Sequence, residues 1–164
     1  MDSRRIARYA LLTALAMVLS WLESLLPVSG AVPGMKLGLT NLVVIFALER
    51  MTVRDAAAIS FIRVILVSLT FGNAYAFAYS LAGAVLSLLG MVFLKKTGKF
   101  SVLGVSVAGG VCHNIGQILV AMAVLETTRL AYYLPFLLIS GTVSGAAIGA
   151  AGGIIARRVP PPPD

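Results

Sequence analysis

"SVLGVSVAGGVCHNIGQILVAMAVL", residues 101–125, holds no aspartate, glutamate, lysine or arginine in twenty-five positions. A hydrocarbon layer about 30 Å thick is crossed by about 20 apolar residues in a helix, so this stretch spans with residues to spare. Its centre raises a question. "GVCHNIGQ", residues 110–117, contains the only cysteine and the only histidine of the chain and sets His113, Asn114 and Gln117 at a depth where an unsatisfied polar group is costly.

The rest of the chain is of the same kind. Of 164 residues 59% are hydrophobic and 12% charged, whereas soluble domains carry about 25% charged residues. Six segments are long or apolar enough to be read as crossings: about 6–26, 35–49, 53–71, 74–95, 101–125 and 132–156. Turn or charge signals separate them, namely "PVSGAVPGMK", "ERMTVRD", "FGN", "KKTGKF" and "ETTRLAYY". The expected fold is an all-α integral membrane protein, a single six-helix transmembrane domain over residues 1–158 followed by a proline-rich tail at 159–164. The first segment has the basic start and apolar run of a secretory signal but lacks a convincing cleavage site, so it is read as a retained first helix.

Ten of the thirteen basic residues fall on one side if the N-terminus is cytoplasmic: Arg4, Arg5, Arg8, Arg50, Arg54, Lys95, Lys96, Lys99, Arg157 and Arg158. Lys36 and Arg129 fall on the other, and Arg63 lies within the membrane. This asymmetry predicts both termini in the cytoplasm. The net charge of +7 is thus distributed between apolar spans, not gathered on a soluble face that would bind nucleic acid. A single cysteine allows no internal disulfide, and His113 has no second ligand at metal spacing, so no metal and no cofactor is expected. No paired carboxylates, aspartate-rich diphosphate motif or positioned nucleophile is present, so no catalytic residue and no enzyme activity are assigned.

Depth along each helix follows from a rise of about 1.5 Å per residue. Lys36 stands at the outer end of the second segment and Asn41 about one and a half turns below it. Arg63 is near the middle of the third; Tyr75 and Tyr79, four residues apart, share a face in the outer half of the fourth. His113 and Gln117 share a face of the fifth, with Asn114 beside them, and Asn73 lies at the outer surface. The inner half offers mainly serines and threonines, which bond back to their own helix. These residues together predict a substrate cavity that opens outward and is closed below.

More than one reading fits several of them. Arg63 pairs with Glu23 or backbone carbonyls, anchors an anionic group of a solute, or snorkels to the inner surface. His113, Asn114 and Gln117 either bridge helices or contact that solute. Gly141, Gly145, Gly149 and Gly153 form a ridge that serves either packing within the bundle or a docking face for another subunit. Ala10 and Ala14 mark a second small-residue face, on the first helix.

"PGMKLGLTN" at 33–41, "FIRVILVSLTFGNAYAFAYSLAGAVLSLL" at 61–89 and "FSVLGVSVAGGVCHNIGQ" at 100–117 resemble, in order and over most of the chain, the Gx transporter family, also labelled heptaprenyl diphosphate synthase component I. That family is similar to the substrate-binding S components of energy-coupling factor (ECF) transporters. The resemblance implies a six-helix solute receptor in a prokaryotic plasma membrane. Its partners would be a membrane T component, two cytoplasmic ATPases, lipid, and a small vitamin-like or isoprenoid- or quinone-related metabolite. It also implies that Ala10 and Ala14, as an AxxxA motif, meet the T component. Lys36, Arg63 and Arg129 would suit a carboxylate or a diphosphate. The family's other label implies a different role, a membrane subunit beside a soluble prenyl-chain-elongating enzyme, and a non-transporting scaffold is a third reading.

Overall fold

The computed structural model describes residues 3–25 and 38–159. Among these the chain is helical throughout, with no strand: α1 (Ser3–Leu25), α2 (Asn41–Arg50), α3 (Val53–Phe71), α4 (Ala74–Thr97), α5 (Val102–Val124), a 3-10 turn (Thr128–Tyr133) and α6 (Leu134–Arg158).

Local chemistry sets the boundaries. Thr52 and Asp55 form a reciprocal capping box that starts α3, with Asp55 N donating to Thr52 Oγ1 at 3.2 Å and Thr52 N to Asp55 Oδ2 at 3.0 Å. Asn73 Oδ1 accepts from Ala76 N at 2.8 Å and starts α4, which ends at Gly98 in the left-handed region (φ 66°). The second predicted helix, 35–49, begins within the described residues only at Asn41. Gly38 has a φ of 72°, a conformation that ends helical continuity; residues 35–37 lie outside the described residues.

Four stretches are long and apolar enough to cross a membrane: Arg5–Leu25, Ala74–Thr97, Val102–Val124 and Thr128–Arg158. The other two helices depart from the expected pattern for different reasons. α3 has the length, 19 residues, but carries Arg54, Asp55 and Arg63. α2, at 10 residues, covers about 15 Å, half a bilayer.

The short helix is nevertheless the centre of the core. Val43, Val44, Ile45, Ala47 and Leu48 of α2 are all buried, as befits a helix apolar on every side. It packs against α3, α5 and α6, and Gly152 of α6 makes room for Ile45. α5 is held closely between α4 and α6. A β-carbon at Gly116 would lie 2.6 Å from the Ala82 carbonyl oxygen of α4, and one at Gly145 would lie 2.7 Å from the Val107 Cα of α5. α1 leans on α3 and leaves most of its surface, including Leu11, Leu15, Val18 and Leu22, exposed for lipid or a partner.

One end of the bundle is fastened by polar contacts. Arg5 of α1 pairs with Asp55 of α3 at 2.7 Å, and the Tyr9 hydroxyl donates to the same carboxylate. Lys95 of α4 pairs with Glu49 at 2.8 Å and donates to the Leu48 carbonyl, while Arg50 donates to the Ala156 carbonyl of α6. This is the end where most of the basic residues lie.

Candidate functional site

At the opposite end, where α1 finishes and α3 turns into α4, lies a cavity of about 210 Å³. Its walls come from four helices and the turn before α2: Ser20 and Glu23 of α1, Thr40, Arg63 and Ser68 of α3, Ser80 of α4 and His113 of α5. Each reaches the cavity for a local reason. Gly83 lets the His113 ring lie against α4, since a β-carbon there would stand 2.9 Å from the imidazole Cε1. Glu23 accepts a hydrogen bond from the backbone N–H of Gly38, which ties the end of α1 to the turn that starts α2. In that turn Asn41 N donates to the Gly38 carbonyl at 2.7 Å.

Arg63 is the distinctive member. It is 5% exposed, and its Nη2 has no hydrogen-bond partner. Glu23 attracts it electrostatically, and the two face the same space. A buried guanidinium with donors left over is costly unless an acceptor, from ligand or water, completes it. Thr40 precedes α2 without using its side chain as a cap, and the positive end of that helix dipole lies at the cavity wall.

The residues expected to form the substrate site separate into groups. Arg63 and His113 line the cavity together. Asn41 is buried one residue beyond Thr40 and is not part of the cavity lining. Asn114 is engaged elsewhere: its Nδ2 donates to the Leu137 carbonyl of α6 at 2.8 Å. Gln117 is 1% exposed with neither amide atom partnered, one turn beyond His113. Asn73 caps α4 and borders a shallow apolar groove with Leu69 and Phe77. Tyr75 is 62% exposed and Tyr79 half-buried, neither of them on the cavity. Lys36 lies outside the described residues. Ala10 and Ala14 are exposed on α1.

The glycine ridge serves packing within the bundle: Gly141, Gly145 and Gly149 all press on the α5 backbone, and only Gly153 has room around it. The sequence named Glu23 only as a possible partner of Arg63 and did not bring it into the site with Thr40, Ser20 and Ser80. The available signal was a carboxylate two residues before the end of an apolar helix. Among the described residues no three His, Cys, Asp or Glu side chains gather to hold a metal.

An all-helical chain with four stretches able to cross a bilayer, polar side chains turned inward and a broad apolar exterior is a multi-pass membrane protein. Residues 12–155 match the family described as heptaprenyl diphosphate synthase component I, and the chain belongs to that family. The family is named for one component of a synthase. No curated protein and no solved structure matches it.

Proposed function

We propose that the chain is the solute-capturing subunit of an ECF-type importer, similar to an S component, and takes up a small metabolite without catalysis of its own. The observation that carries this reading is the cavity at the end opposite the basic one, with Arg63 buried in its wall and a guanidinium nitrogen left without a partner. In this reading all six helices belong to the membrane domain. α3 runs its full depth with Arg63 turned inward, and the short α2 supports the cavity from below. The basic end and both termini face the cytoplasm of a prokaryotic cell. The exposed stripe of α1 around Ala10 and Ala14 meets the T component, through which two ATPases supply the energy.

The family's printed name favours a second reading, in which the chain is the membrane component that accompanies a heptaprenyl diphosphate synthase. Affinity capture from native membranes separates the two. Recovery of a T component with two ATPases is the expected result, and Ala14→Trp should abolish it while the fold is kept. Recovery of a soluble prenyl synthase in their absence overturns the transport reading.

A further inference from the structure

We infer that the cavity binds a compact solute through a single carboxylate, held by the Arg63 guanidinium and the Thr40 hydroxyl, and not a diphosphate or a prenyl chain. The inference rests on the receptor reading and names the substrate class of the same site.

Charge argues first. The unpartnered Nη2 of Arg63 calls for an acceptor, and the adjacent start of α2 adds partial positive charge. Guanidinium and carboxylate match in geometry, donor fork to paired oxygens. Glu23 then sets the limit. It lines the same cavity, so among the described residues the walls supply one guanidinium and one carboxylate beside four serines, Thr40 and His113. A diphosphate would add two or more negative charges next to Glu23 in a low-dielectric interior with one guanidinium to answer them.

Size argues independently. An apolar cavity of about 150 Å³ takes a benzene ring, so about 210 Å³ takes a solute of roughly ten non-hydrogen atoms. A chain of seven isoprene units exceeds that several times over.

The test uses the full chain in lipid nanodiscs and measures protection against thermal unfolding by acetate, benzoate, their uncharged amides acetamide and benzamide, inorganic diphosphate and farnesyl diphosphate. At least one carboxylate is expected to bind tenfold or more tightly than its amide, and Arg63→Gln should erase that difference. Because Arg63→Gln leaves Glu23 without its counter-charge, the double variant Glu23→Gln/Arg63→Gln is the folded control; it too should fail to distinguish acid from amide. Equal protection by acids and amides in the wild type overturns the inference. So does protection by either diphosphate, through Arg63, that exceeds that of the carboxylates. The latter result leaves the receptor reading standing, which falls instead with the capture experiment.

Discussion

Gly110 of α5 and Gly141 of α6 meet backbone to backbone: a β-carbon on Gly110 would lie 2.4 Å from the Gly141 carbonyl oxygen, and one on Gly141 would lie 2.9 Å from the Gly110 carbonyl oxygen. α5 cannot yield locally, because α4 packs on its far side. Gly110→Ala and Gly141→Ala should each destabilise the protein by about 1–3 kcal/mol. Gly153→Ala, whose nearest neighbour would be Val102 at 3.9 Å, should be neutral or stabilising by up to about 1 kcal/mol, alanine being the better helix former. Reversible unfolding in mixed micelles reads the difference, and equal effects at the three sites would show that the ridge is not in contact.

Asn114 joins the same two helices by a side chain. Its donation to the Leu137 carbonyl is a bond between helices of the kind worth about 0.6–1.7 kcal/mol in a bilayer. Asn114→Leu keeps the volume but loses the donor, and should cost at least that much. Solute affinity should change little in any Asn114 variant that stays folded, and a large selective loss of binding would return this residue to the cavity.

Asp55 accepts from Arg5, Tyr9 and the Thr52 backbone at once. Thr52→Ala removes only the cap and should cost about 1 kcal/mol. Asp55→Ala removes cap, ion pair and hydroxyl contact together and should cost about 2–3 kcal/mol. If the two variants unfold at the same denaturant concentration, the contacts from α1 add nothing to stability.

Gln117 is buried with its amide unpartnered. Gln117→Met is close in volume and carries no strong polar group, so the solute-free protein should gain about 1 kcal/mol or more. A loss of stability on this substitution would reveal a bonded water or a partner held by that amide.

The long crossings were legible from residue order alone. Four of the six expected segments recur as helices able to span, with ends set by caps such as Asn73 and Gly98 that are themselves local signals. α2 was placed but overextended, because hydropathy does not register the positive φ at Gly38 that ends helical continuity.

The site was legible in part. Depth counting brought Arg63 and His113 to one level, and they share the cavity. It could not tell that Asn114, next to His113, turns to α6, or that Tyr75 turns outward. Apolar content along a span is a sum over neighbouring residues, so residue order suffices to show that this chain enters the membrane repeatedly and which polar residues go with it. The direction each one faces depends on the rotation of its helix, and helices apolar on nearly every side carry little amphipathic signal to set that angle. Tertiary packing sets it, through glycines such as Gly83 and Gly110 that make room for close approach, with His113 on the cavity that Arg63 also lines and Asn114 bonded to the Leu137 carbonyl.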